Sequence, residues 1–163
     1  MTCSKLKSIS IEYLEHVPDN AFRGCVILKS FRMPPTVISV GMMSFYETGI
    51  NSLQFPPSLK FIGIQSFAST AIVTLNIPNT VETINFGAFS WCNQLVSVIL
   101  PEGMEKLNMS VFEECRKLNS IIFPESLKEI GFKCFYGCRG LKKLNINVLI
   151  INSSAFSEAG LEI

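Results

Sequence analysis

Apolar residues recur along the chain in a frame of 21 to 23 positions, marked by one phenylalanine per copy: Phe22, Phe45, Phe67, Phe89, Phe112, Phe135 and Phe156. Five residues before each marker stands an aliphatic residue (Val17, Val40, Ile62, Ile84, Leu107, Ile130, Ile151). Eight before it stands another apolar one (Leu14, Val37, Leu59, Val81, Met104, Leu127, Val148). After the markers comes an L-x-x-L-x-L set, beginning at Leu28, Ile50, Ile72, Leu95, Leu118 and Leu141, with a partial copy "LKSISI" from Leu6. Its last two apolar positions alternate with the period of 2 that a strand imposes. Pro34, Pro56, Pro78, Pro101 and Pro124 close five copies, because proline cannot donate to a ladder and restricts the residue before it.

A unit this short cannot bury its own apolar face, but a stack of copies can. The pattern predicts an α/β repeat solenoid, mainly β. One parallel sheet forms a flank, short extended segments form the opposite flank, and short helical turns join them. Residues 1–163 read as a single solenoid of about seven repeats, either complete or a fragment of a longer array. Neither end carries the polar cap that solenoids need, which predicts end-to-end stacking or continuation of the array. Four residues before the markers stand Pro18, Gly41, Gly63, Asn85, Asn108, Gly131 and Asn152. Glycine and asparagine both tolerate a left-handed backbone, so this slot predicts a tight turn with positive φ, with the Pro18 copy bending differently. The sequons "NMS" and "NSS" at Asn108 and Asn152 fall in that slot and read as turn asparagines.

The pattern L-x-x-I-x-I/F-P-x-S-L-x-x-I-G-x-x-A/C-F-x-x-C, cleanest in "FPESLKEIGFKCFYGCRGLKKLNI", resembles the BspA-like (Treponema-type) leucine-rich repeat over nearly the whole chain. The resemblance implies a right-handed leucine-rich superhelix. It also implies a surface-adhesion role binding host or matrix protein, since many such proteins are surface or secreted.

Composition narrows the chemistry. Charged residues make up 17% of the chain, the net charge is +1 and hydrophobic residues are 48%, so no strong field points to nucleic acid or an anionic membrane. No apolar run reaches the ~20 residues of a membrane span. The opening "MTCSKLKSISIEYLEHV" lacks the apolar core of a secretory signal. These features predict a cytoplasmic protein, whereas the resemblance predicts the cell surface. Three residues after the markers stand Cys25, Thr48, Thr70, Cys92, Cys115, Cys138 and Ala159, and Cys3 takes this place in the opening copy. Interchange with threonine and alanine marks a slot for small interior residues, not a metal site, which needs a thiolate at each ligand position. Cys134 fills the small slot before Phe135, as Ala21, Ala88 and Ala155 do elsewhere. Parallel Cβ vectors on neighbouring rungs oppose disulfides, so reduced thiols are expected. His16 is the only histidine, in a slot of mixed residue types, and Glu113 and Glu114 read as a solvated turn. No catalytic, cofactor or metal residue is assigned.

What remains is binding. On the L-x-x-L-x-L flank, Ser8, Ser30, Ser52, Thr74, Ser97 and Ser120 form a hydroxyl ladder ending at Lys143. Beside it, Arg32, Gln54 and Asn76 form a polar half, while Val96, Ile99 and Ile122 form an apolar island next to Asn119 and Asn145. An apolar centre with a polar rim suits a protein partner; a glycan is the second ligand class, and nucleic acid is not expected. Trp91, in a turn, reads as an anchor for a partner or as a ring packed over the next turn.

Overall fold

The computed structural model describes residues 5–162; Cys3 lies outside them. Consecutive copies stack as turns of a β-solenoid, with equivalent residues directly above one another. On the flank five residues upstream of the markers run β1 (His16–Val17), β2 (Ser39–Val40), β3 (Phe61–Ile62), β5 (Thr83–Ile84), β7 (Lys106–Leu107), β9 (Glu129–Ile130) and β10 (Ile150–Ile151). On the L-x-x-L-x-L flank run β4 (Thr74–Asn76), β6 (Ser97–Ile99) and β8 (Ser120–Ile122). All pairing is parallel and in register, as in His16↔Ser39↔Phe61↔Thr83 and Asn76↔Ile99↔Ile122.

Among the described residues, the expected single sheet is instead three. They are β1-β2-β3-β5 and β10-β9-β7 on one flank, and β4-β6-β8 on the other. On the L-x-x-L-x-L flank, the copies at Leu28 and Ile50 pair through an isolated Ser30↔Ser52 bridge and the bond from Asn51 N to Lys29 O at 3.2 Å. Both close on two prolines, Pro34–Pro35 and Pro56–Pro57, which remove donors. Both also turn an aromatic ring inward where later copies up to Leu95 place aliphatic residues: Phe31 packs 5.1 Å from Phe45, and Phe55 lies edge-on to Phe67 at 5.6 Å. On the opposite flank the ladder breaks between β5 and β7. The break coincides with Gly103, which turns left-handed at φ 89°. At that slot Ser58 and Ser126 donate their hydroxyls to the preceding turn, reaching Val37 O at 2.7 Å and Met104 O at 2.9 Å. Glycine has no such donor.

No helix occurs among the described residues, so the expected helical turns are absent. Two left-handed columns take their place. One lies two residues before each marker (Asn20, Met43, Gln65, Gly87, Ser110, Lys133, Ser154), the other two residues after it (Gly24, Glu47, Ser69, Trp91, Glu114, Gly137, Glu158). A helix points every N–H back along its own turn. Here the left-handed residues swing theirs toward the next copy: Met43 N donates to Ile64 O at 2.9 Å, and Trp91 N to Glu113 O at 2.7 Å. The marker joins in, with Phe89 N donating to Val111 O at 3.0 Å. The corner is thus a third rung-to-rung ladder. The Pro18 copy follows it too, with Asn20 at φ 56° and Gly24 at φ 72°; proline fits because its slot is not the left-handed one.

That places the glycine/asparagine slot differently from the sequence expectation. Gly41, Gly63 and Gly131 are not left-handed; they are needed because the neighbouring backbone passes close by. A Cβ on Gly63 would sit 2.5 Å from Val40 O, and one on Gly131 2.7 Å from Asn108 C. The asparagines use the same proximity to donate. Asn85 Nδ2 reaches Ile62 O at 3.1 Å, Asn108 Nδ2 reaches Ile84 O at 2.8 Å, and Asn152 Nδ2 reaches Ile130 O at 3.0 Å.

The core is a column of stacked rings. Phe22 to Phe156 follow one another at centroid distances of 5.1 to 5.8 Å, tilted by no more than 19°. The five interior rings are fully buried. Aliphatic residues of both flanks close around them, which is how a repeat with little local structure of its own buries its apolar face.

Candidate functional site

Alternation along each strand divides the L-x-x-L-x-L flank cleanly. In the copy at Leu95, the residues Leu95, Val98 and Leu100 are buried, while Val96, Ser97 and Ile99 face outward. Asn76, Ile99 and Ile122 become directly paired neighbours on β4, β6 and β8, and Thr74, Ser97 and Ser120 pair in the adjoining column. Ile99 is 42% exposed and Ile122 56%. Val96 is half-buried; its carbonyl accepts from Asn119 N at 3.0 Å, which places the two side by side. Arg32 and Gln54 are brought together beyond the Ser30–Ser52 bridge, on a shallow groove floored by the buried Phe31 and the half-buried Phe55. Seven of the eight site residues are exposed. Asn145 is exposed but lies outside the hydrogen-bonded strands, so its copy extends the face without a ladder to hold it.

The interior cysteines explain why that slot takes thiols. Cys92 Sγ donates to Phe67 O at 3.2 Å, Cys115 Sγ to Phe89 O at 3.2 Å and Cys138 Sγ to Phe112 O at 3.1 Å. Each thiol therefore ties its turn to the carbonyl of the preceding marker, and Thr70 makes the corresponding bond to Phe67 O within its own turn. Burial pushes the Cys92 thiol up to about 11 and the Cys138 thiol to about 12. Burial also raises Cys115 and Cys134, with the neighbouring thiols adding to the effect. Protonated, buried donors are poor nucleophiles and poor metal ligands. Among the described residues, no three His, Cys, Asp or Glu side chains converge as a cation site.

Catalytic geometry is equally sparse. His16 Nδ1 lies 2.8 Å from Ser39 Oγ in solvent, and no carboxylate among the described residues bonds the ring. Glu114 departs from the solvated-turn expectation. It is only 8% exposed and bonds Arg116 Nε at 2.8 Å, because its left-handed backbone folds the side chain inward beside Gly137. Trp91 is 46% exposed, with the Arg116 guanidinium 5.9 Å from its ring centre. It is covered on one side by the next turn and open on the other.

One surface escaped the sequence reading. Three residues before the markers, Met42, Ile64, Phe86, Met109 and Phe132 are all 37–44% exposed. The corner ladder holds them in register, since their carbonyls accept the N–H groups of Asn20, Met43, Gln65, Gly87 and Ser110. The column is polar at Asp19 and Ser153, so the ridge spans the five middle copies. Its signal was present at a fixed offset from the markers. The offset's outward direction was not, because it depends on the left-handed residue that follows.

Comparison with known proteins gives one consistent answer. The profile of the BspA type leucine rich repeat region matches residues 1–72 and 60–163 with six copies. Among solved structures, a leucine-rich repeat protein from Bacteroides ovatus superposes with a TM-score of 0.84 at 28% identity, over 99% of this chain and 49% of that one. One from Eubacterium ventriosum gives 0.78 at 25%, over 93% and 44%. The leucine rich repeat protein of T. pallidum gives 0.68 at 32%, over 78% and 64%. The chain thus spans about half the length of the first two. No curated protein matches it.

Proposed function

The chain belongs to the BspA-type leucine-rich repeat family, and from that premise we propose that it is a non-catalytic interaction module of the surface-adhesion type. It binds a protein through the outward side chains of the β4-β6-β8 flank. The observation that carries this reading is the register Asn76↔Ile99↔Ile122, which sets two exposed isoleucines side by side next to a hydrogen-bonding half at Arg32, Gln54 and Asn76. Exposed apolar groups ringed by polar ones are the common anatomy of a binding patch. The surface location draws support from a leucine rich cell surface protein of Faecalibacterium prausnitzii, which shares the fold with a TM-score of 0.58 at 23% identity.

The test is affinity capture with wild type, with Ile99→Asp plus Ile122→Asp, and with Lys60→Asp on the opposite flank as control. A partner lost only from the isoleucine variant supports the face; a partner retained equally by all three retires it. A second reading, an intracellular scaffold, is favoured by the buried thiols Cys92, Cys115, Cys134 and Cys138, since such thiols suit a reducing compartment. Labelling of intact cells with an impermeant amine reagent separates the two.

A further inference from the structure

The outward positions of the L-x-x-L-x-L flank are segregated by charge. Three such positions on each of the seven copies from Leu6 to Leu141 carry no aspartate or glutamate; the first acidic residue in line is Glu162, one step past Lys142, and its N–H donates to Lys142 O at 3.0 Å. Those positions do carry Lys7, Lys29 and Arg32 toward one end and Lys142 and Lys143 at the other. All five are exposed, and none makes an ion pair among the described residues. The copies from Ile50, Ile72, Leu95 and Leu118 have no cation at these positions. Lys117, just before the last of them, is engaged by Gln94 Oε1 at 2.7 Å. Beyond the closing prolines of the middle copies stand Glu102 and Glu125, which sharpen the contrast with the two positive poles. The opposite flank is different, because its charges neutralise one another: Lys60 pairs with Glu82 at 3.0 Å, Lys106 with Glu129 at 3.0 Å and Lys128 with Glu105 at 2.6 Å.

Resting on the reading of this face as the binding site, we infer that its partner is a protein segment with carboxylates at two points and apolar side chains between them. The carboxylates meet Arg32 and Lys29 at one pole and Lys143 and Lys142 at the other. The apolar centre covers Ile99 and Ile122. The Arg32 and Lys143 copies are five steps apart, roughly 25 Å at the ~4.8 Å spacing of parallel strands. An extended segment of about nine residues covers that distance at ~3.3 Å per residue. A uniform polyanion fits less well, since it would lay charge across four copies with no cation and two exposed isoleucines, and such ligands call for a continuous basic stripe.

The experiment uses the whole chain and a fluorescent nine-residue peptide with two glutamates at each end and an alternating valine centre. Controls are the same peptide with lysine ends, the same peptide with a serine centre, and heparin as a uniform polyanion. The glutamate-ended peptide is expected to bind, to be weakened by added salt, and to lose at least tenfold in affinity with Arg32→Glu plus Lys143→Glu. The serine-centred peptide should bind at least tenfold more weakly. Failure of the glutamate-ended peptide to bind, equal binding of the lysine-ended one, or tighter binding of heparin overturns the inference. Binding that survives the charge reversals but is lost with Ile99→Asp sinks the charge pairing and leaves the face as a binding site. Binding unaffected by either set removes the face itself.

Discussion

Truncation of Phe89 to alanine tests the ring column most directly. Its ring is fully buried and stacked on both faces, 5.5 Å from Phe67 and 5.8 Å from Phe112, with the edge of Phe55 at 6.4 Å. Removing a sealed core phenylalanine costs ~3–5 kcal/mol, with larger values where the site cannot collapse. Each aromatic pair adds ~0.5–1.5 kcal/mol beyond its area. The neighbours here are fixed by the β4-β6-β8 ladder, by the β3–β5 pairing and at the corner, so collapse is restricted and about 4–5 kcal/mol is expected. Phe156 is half-buried and has one described stacking neighbour, Phe135 at 5.2 Å; about half the cost is expected for Phe156→Ala. Urea unfolding, followed by far-UV dichroism and by fluorescence of Trp91, measures both. Trp91 is the only tryptophan and sits in the Phe89 turn, so it reports the perturbed region. Equal costs for the two variants, or less than ~1.5 kcal/mol for Phe89→Ala, would refute the column as the main source of stability.

Three further outcomes rest on the same packing. The raised thiols keep their protons in the folded state while the unfolded chain ionises from about pH 8.5. Stability is therefore unaffected below that point and falls as pH rises toward about 11 for Cys92 and about 12 for Cys138, by up to ~1.4 kcal/mol per pH unit and thiol. Urea midpoints measured between pH 7 and pH 10.5 that stay level contradict this. Gly131→Ala should cost ~1–3 kcal/mol through overpacking against Asn108 and Leu107, and Gly131→Asn should recover part of it by donating to the preceding turn; thermal melts that rank the two the other way count against the close-approach account. Phe86→Ser plus Met109→Ser should lower binding of a hydrophobic dye and retention on a hydrophobic column, with a stability cost of ~2–3 kcal/mol for the pair because each side chain is a little over half buried. Unchanged retention would mean that the ridge is not an accessible apolar surface.

The sequence made the architecture readable because a side chain that fills the same volume in every turn must recur at the same offset. Phe45, Phe67, Phe89, Phe112 and Phe135 do so, and the aliphatic positions around them follow. The outward residues Asn76, Ile99 and Ile122 were legible for a related reason: strand alternation fixes their direction once the inward set is known. Direction in the corners was not legible. Strand and helix periods both fail where Met43 and Glu47 turn left-handed, so the facing of Met42 had no rule to follow. Sheet continuity was equally hidden. The copies at Leu28 and Leu95 share the same spacing, but Phe31, Met33 and a second proline make one a bridged loop and the other a strand. Gly63 and Asn85 share a slot for closeness to the backbone below, a cause that leaves the same mark in a sequence as backbone handedness.

The corner columns bear on how such an array can form at all. Among the described residues, eleven left-handed ones are not glycine, and each is disfavoured by ~1–2 kcal/mol in a chain with nothing above or below it. Eight of their amides, those of Asn20, Met43, Glu47, Gln65, Ser69, Trp91, Ser110 and Glu114, donate to an adjacent copy. A single repeat cut from the chain therefore has no reason to adopt its native bend, and two or three must order together before the first bend becomes favourable. Such a chain should melt as one block and not fray copy by copy, and a version shortened by two repeats should lose more than its proportional share of stability.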